Sequence, residues 1–349
     1  MRRVLMNRGS RHARDFLRRY GVAATNLVLW LDSNDPRSGV SAATWDDLSG
    51  NEISGQDNDM KQATAANQPT VVTTFPKNRT FDGTADFMTQ EVFDTNQGAM
   101  TFIADGGTAE FRDAGQNFAD WETTSGNATH MIVITTNNGI SWAYMGASNN
   151  GGLDIDCYSD IALTTRGWKG RTTPQATPDT PASYKIYKTD FQITGAQTML
   201  AWGKIASGAP KTGNRLISKY DTVNVAAQGM EIYRNGSGYA SCQVPGENAA
   251  GSTILSDDTW YMIGGIYSPS GEGNYVKVVV DGVVVDTQTA TVPAALDDVY
   301  LPLAIGCDYS SGVTSFFWNG NIAPAIVFSR ALSAEEIKRI YDRDKGLFN

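Results

Sequence analysis

Short apolar runs rich in Val, Ile, Tyr, Phe and Trp recur along the chain, each closed by Gly, Asn, Asp or Ser. That punctuation marks short strands joined by tight turns. The first part contributes "NLVLWLD" and "RTFDGTADFMTQ". Further on, "HMIVITTNNGISWAYMG" reads as a hairpin about Asn137-Asn138-Gly139. From residue 191 the runs come at regular spacing: "FQITGAQTMLAWGKI", "RLISKY", "GMEIYRNGSGYASCQV", "TWYMIGGIY", "NYVKVVVDGVVVDTQT", "LPLAIGCD" and "SFFWNGNIAPAIVF". The clearest hairpin is "VVVDGVVVD", with Asp281-Gly282 as a two-residue turn.

Two stretches depart from the strand pattern. Near the end, Ser333 and Glu336 make a capping box, and Ile337, Ile340 and Tyr341 fall on one helical face. Near the start, "RHARDFLRRY" has helical spacing, with Phe16, Leu17 and Tyr20 on or near one face. The repeated long helices of a β/α fold are missing. The pattern therefore predicts an all-β sandwich or jelly roll.

Composition narrows this. The 349 residues suffice for one large or two medium domains, and 41% hydrophobic content is that of a globular chain. No apolar run reaches the length of a membrane span. Charge is uneven. Residues 1–25 hold seven Arg against one Asp, a charge of +6; with a total of −9, the remainder carries −15. An acidic body argues against broad nucleic-acid binding. Cys157, Cys242 and Cys307 are odd in number and far apart, so neither a disulfide framework nor a zinc site is expected. The N-terminal residues have no apolar h-region, and we expect a protein made and folded in a cytoplasm.

Taken in order, several segments resemble a laminin G-like domain of the concanavalin A-like jelly-roll superfamily. The resemblance runs through "LVLWLDSNDP", "WDDLSGN", "FDGTADFM", "FQITGAQTMLAWGKI", "RLISKY", "DDTWYMIGGIY", "VKVVVDGVVV" and the closing "FFWNGNIAPAIVFSRALSAEEIKRIY". It implies that the last strand pairs near the first, and that the C-terminal helix covers an end of the sandwich. One departure stands out: Met88 and Phe191 are about a hundred residues apart where the resemblance implies close succession. We therefore expect a basic arm over 1–25, a jelly roll from 26–90 plus 191–349, and an inserted β-rich domain over 91–190. The insert ends in a Pro-rich linker, "TTPQATPDTPAS", at 172–183.

Candidate chemistry is sparse. His12 and His130 are the only histidines, and no G-x-S-x-G elbow accompanies them, so a Ser-His-Asp triad is not expected. Glycoside hydrolysis needs two carboxylates about 5–9 Å apart. The nearest string is "LDIDCYSD", where alternation places Asp154 and Asp156 on one strand face. Calcium is the cofactor that the loops suit: the resemblance implies loop carboxylates as ligands, and Asp32, Asp35, Asp46, Asp47 and Asn51 are the candidates. The same residues also serve turns without metal. Tyr144 and Trp168 sit among loop residues and are the candidate sugar-stacking aromatics.

The expectation is a non-enzymatic structural and binding protein with a lectin-like module. The missing export signal, the basic arm and the insert, taken with the resemblance, point to a tailed-bacteriophage virion component: a capsid decoration, head-fibre or tail-associated protein. Its partners would be other virion proteins, docked through Arg14, Phe16, Leu17, Arg18, Arg19 and Tyr20. Host glycans would be its ligands, and several copies would share one assembly. The rivals are a carbohydrate-active enzyme with an atypical acid pair and an exported adhesion lectin.

Overall fold

The computed structural model describes residues 8–38, 41–50, 58–90, 92–96, 101–105, 108–112, 130–136, 139–144, 154–158, 181–188, 193–210, 213–220, 228–296, 302–310 and 313–348. Two antiparallel sheets face one another. The first has Val283–Gln288, Tyr275–Val280, Trp260–Ser268, Gln197–Ile205, Asn319–Phe328, Asn78–Asp82 and Thr70–Val72 in that order, and Leu27–Leu31 pairs with Asn319–Phe328 as well. The second has Glu247–Ile254, Tyr239–Val244, Gln228–Arg234, Arg215–Tyr220, Ala304–Ile305, Met88–Gln90, Met60–Lys61 and Thr44–Trp45. The expected pairing of first and last strands is present, with Trp30 opposite Ile326 and Leu31 opposite Ala325.

Period-two alternation builds the core. Met199 lies beside Val327 and Gly265, and Gly265 beside Val278, all on the inner face of the first sheet. Ile217, Ile232, Cys242 and Ala249 make the matching inner row of the second sheet. Both rows belong to one buried apolar cluster. The sheets meet so closely at Gly265 that any side chain there would strike Cys242 and Met230, which is why this position lacks one. At the hairpin, Asp281 and Gly282 have φ of 50° and 80°. These are the positive values that a two-residue turn between twisted strands requires.

Two helices close the outer face of the first sheet. Helix α1 spans Arg8–Tyr20 and helix α2 spans Ala334–Phe348. The capping box at α2 is reciprocal: Glu336 N–H donates to Ser333 Oγ at 3.2 Å and Ser333 N–H to Glu336 Oε2 at 2.9 Å. Ile337 and Ile340 are buried as the spacing predicts. The location corrects the sequence reading, because α2 covers a sheet face and not an end of the sandwich. The cause is the outward row Leu200, Trp202, Met262, Ile266, Val279 and Ile326, which is apolar throughout and shares a cluster with Ile337, Ile340 and Phe348. Trp202 stacks on Tyr341 and Phe348 at 5.7 and 4.6 Å.

Between Met88–Gln90 and Gln197–Ile205 the described residues form seven strands in two further sheets. One holds Gly139–Tyr144, His130–Thr136, Pro181–Lys188 and Val92–Asn96; the other holds Asp154–Tyr158, Thr108–Arg112 and Thr101–Asp105. Among the described residues these strands pair only with one another. The two strands of the expected hairpin pair, with Thr136 opposite Gly139, while Asn137 and Asn138 lie outside the described residues.

Candidate functional site

With helices over the first sheet, the outer face of the second sheet is where polar side chains gather. The same alternation that buries Ile232 and Cys242 turns Glu231, Tyr233, Ser241 and Gln243 outward. Cross-strand register then sets them in two rows. Ser218, Glu231, Gln243 and Asn248 form one, and Arg215, Tyr233 and Ser241 the other. The rows are hydrogen-bonded together. Gln243 Nε2 donates to Tyr220 Oη at 2.9 Å, Tyr233 Oη donates to Gln243 Oε1 at 3.1 Å, and Asn248 Nδ2 donates to Tyr233 Oη at 2.7 Å. Tyr220 and Tyr233 are buried, Gln243 is half-buried and Asn248 is exposed. The network thus starts inside and surfaces at one edge.

At its inner end sits a charged group. Arg215 donates through Nε and Nη2 to the two oxygens of Glu231 at 2.8 and 2.9 Å, a two-handed pair. Its guanidinium lies 4.4 Å from the ring centroids of both Tyr233 and Phe316. Ser218 Oγ is 3.1 Å from Asp308 Oδ1 and 3.4 Å from Glu231 Oε2. Burial pushes the Glu231 carboxyl up to about 7; Arg215 pulls it down and the charge of Asp308 pushes it up. Glu231 and Asp308 are fully buried. The inner end is thus a locked scaffold, and the tyrosine–amide edge is the part with solvent access. That edge offers hydroxyl and amide donors and acceptors beside aromatic rings, the chemistry that holds sugar hydroxyls.

The sequence-selected residues are placed otherwise. Asn51 and Trp168 lie outside the described residues, as does the side chain of Tyr144, whose backbone ends the strand Gly139–Tyr144. Asp154 and Asp156 share a strand, opposite Arg112 and Glu110. The loop carboxylates are not assembled around one point. Asp32 is ion-paired with Arg19, and Asp35 with Arg37 at 2.6 Å. Asp47 accepts from the backbone N–H of Trp30 and of Ser49, each at 2.9 Å, and from Ser49 Oγ at 2.6 Å. Burial still raises its carboxyl to about 7. Asp46 is half-buried in the same loop. Among the described residues no group of three or more His, Cys, Asp or Glu is gathered to hold a metal ion. Asp32, Asp35 and Asp47 thus each have partners within the chain.

The basic arm needs a second correction. It is a helix laid on its own sandwich. Phe16 and Tyr20 are buried, and Arg19 pairs with Asp32 and Asp344, so these three residues already have intramolecular partners. An amphipathic helix beside an apolar sheet face buries its apolar side there first. Arg14, Leu17 and Arg18 remain exposed.

Sequence reasoning missed the tyrosine–amide edge. Its signal was available: in "GMEIYRNGSGYASCQV" the polar residues Glu231, Tyr233, Ser241 and Gln243 alternate with the apolar Met230, Ile232, Ala240 and Cys242. Uncharged side chains in strands draw little attention when loops carry the obvious acids.

Residues 178–338 match the family described as the concanavalin A-like lectin/glucanases superfamily. This match and the paired sheets bear out the expected concanavalin A-like, laminin G-like sandwich. Among solved structures, the chain is similar to the Ruminococcus gnavus IT-sialidase CBM40 bound to α2,3-sialyllactose, at 12% identity over 42% of this chain and 83% of that one, with a TM-score of 0.37. It is also similar to the heptameric SAP-like pentraxin of Limulus polyphemus, at 15% identity, 42% and 71% coverage and a TM-score of 0.34. Trypanosoma rangeli sialidase in complex with sialic acid aligns with 99% of this chain, which spans 39% of the sialidase, at 12% identity and a TM-score of 0.47. Likenesses this distant transfer neither ligand nor activity. No curated protein matches the chain.

Proposed function

We propose that the protein is a non-catalytic, lectin-like binding protein that takes a carbohydrate on the outer edge of its second sheet. The observation that carries this reading is the Tyr233–Gln243–Asn248 network, which is held from below and opens to solvent at Asn248. Rings and amides fixed in this way lose little freedom when a sugar docks. The groups of the edge, Tyr220, Tyr233, Gln243 and Asn248, are all uncharged, which favours an uncharged glycan over a sialylated one. The pairing beneath argues for binding over hydrolysis. Both Glu231 oxygens are taken by Arg215, and Ser218 Oγ lies 3.4 Å from Glu231 Oε2 and 3.1 Å from Asp308 Oδ1. The test is a glycan array followed by calorimetry with Gln243→Ala and Asn248→Ala. Retention of an uncharged glycan by the wild type, with affinity falling about tenfold or more in either variant, supports the reading. Unchanged affinity in both variants overturns it, and so does turnover of a glycan.

A second element of the reading concerns assembly. Arg14, Leu17 and Arg18 face outward from α1, and the side chain of Arg18 is 86% exposed. A cationic stripe with one exposed leucine on an otherwise acidic chain suits an acidic protein partner. The resemblance and this stripe are what support a virion setting. A mass-spectrometric inventory of purified phage particles tests it, and absence of the chain from them would refute it.

A further inference from the structure

The clasp between α1 and the sandwich is built around an unequal charge count. Phe16 fills the seat, with ring centroids 5.1 Å from Trp30 and 5.6 Å from Phe328. Beside it, one guanidinium serves two carboxylates. Arg19 of α1 pairs with Asp32, at the end of the first strand, and with Asp344 of α2 at 3.3 Å. Tyr20 Oη donates to the other oxygen of Asp344 at 3.0 Å. Asn34 N–H donates to Asp32 Oδ1 at 2.9 Å. Asp32 and Asp344 are 0% and 1% exposed, against 20% for Arg19. The nearby charges do not close the count. Arg37 is held by Asp15 and Asp35, both at 2.6 Å. Arg339 donates to the carbonyl of Gly21 at 3.3 Å. Arg343, next to Asp344 on α2, lowers the Asp344 carboxyl less than burial raises it.

We propose that α1 is a strap whose hold on the sandwich tightens on acidification, because the Asp32–Arg19–Asp344 cluster takes up one proton when the strap is seated. A buried pair of carboxylates facing one cation carries a net negative charge, and low-dielectric surroundings favour its neutralisation. The seated values agree. Burial pushes Asp32 up to about 6, against the pull of Arg19, and Asp344 is also raised. A released strap returns both carboxylates to water and to ordinary values. The sign follows. A carboxyl raised in the seated state contributes most below its ordinary range, and that contribution is lost as pH rises through about 6. Above neutral pH the strap is therefore at its loosest, and release would uncover Trp30 and Phe328, the apolar partners of Phe16.

The experiment is hydrogen exchange of the full chain between pH 5 and pH 7.5, corrected for intrinsic rates. It follows α1 amides against those of the core strand Gln197–Ile205. Protection of α1 should rise about tenfold from pH 7.5 to pH 5 while the core strand stays level. Asp344→Asn, which keeps the shape without the charge, should flatten the α1 profile. His12 lies on the same helix, and as a control His12→Gln should leave the profile intact. Flat or falling α1 protection on acidification overturns the proposal, as does a parallel change in the core strand. A profile abolished by His12→Gln overturns it too. Should Asp344→Asn fail to fold, the wild-type and His12→Gln profiles decide the question.

Discussion

The two outer faces of the sandwich come from the same alternation and end up unlike. On the first sheet the outward residues are Trp30, Leu200, Trp202, Met262, Ile266, Val279 and Ile326, and two helices cover them. On the second sheet they are Ser218, Glu231, Tyr233, Gln243 and Asn248, joined by hydrogen bonds as Ser218–Glu231 and Gln243–Tyr233–Asn248, and Ser241, which accepts from Asn235. A sheet whose two faces are both apolar needs a third layer to keep it from water. A sheet with one polar face needs none and can keep that face for a ligand. In this molecule the helix side is sealed by a third layer, and the proposed recognition surface lies on the other.

The strongest way to break this comparison is Trp202→Ala. Trp202 is 1% exposed and stacked on both Tyr341 and Phe348, so the change should cost about 3–5 kcal/mol in urea unfolding. A loss under about 1 kcal/mol would mean that the helices are not an integral layer. Next comes Arg215→Met on the polar side. It keeps most of the apolar stem but leaves Glu231 without its paired cation. The expected cost at pH 8 is about 3 kcal/mol. Without Arg215 the Glu231 carboxyl loses the pull that lowers it, so the variant takes up a proton at higher pH than the wild type and its penalty should be smaller at low pH than at high. Urea titrations at pH 8 and pH 5.5 check both size and sign, and an equal penalty at the two values would refute the charge account. The smallest effect is on the cap. Ser333→Ala removes one side of the reciprocal box and should lower stability by about 1 kcal/mol, seen as a modest drop in Tm.

Most of the sandwich was legible because its strands announce themselves twice, by residue type and by turn. Tyr275–Val280 and Val283–Gln288 flank a two-residue Asp-Gly turn, and α2 begins at a capping box. Less legible were strands whose residues carry weak preferences. Glu247–Ile254, "ENAAGSTI", has three exposed residues at its end and owes its conformation to pairing with Tyr239–Val244. The short strands Thr44–Trp45 and Met60–Lys61 depend likewise on their neighbours. The site was harder still. Acidic loop residues looked like ligands, yet Asp32 and Asp47 are consumed by Arg19 and by backbone N–H groups many positions away. Sequence distance hides such pairings: Arg19 meets Asp344 across 325 positions.

That distance has a kinetic side. The strand Asn319–Phe328 is the spine of the first sheet, bonded to Leu27–Leu31, to Asn78–Asp82 and to Gln197–Ile205. Asn26 and Ser329, at the edge of this junction, are 303 positions apart. Ordering the intervening chain before those bonds can form costs entropy that no local contact repays. A topology this rich in non-local pairing places the protein among slow folders, with relaxation in the range of milliseconds to seconds or longer. Until the spine is seated, the Leu27–Leu31 strand has an unpaired edge, and the apolar rows on both sides of the first sheet face solvent. The partly folded chain is thus exposed to association with its own copies, a hazard that the finished sandwich no longer carries.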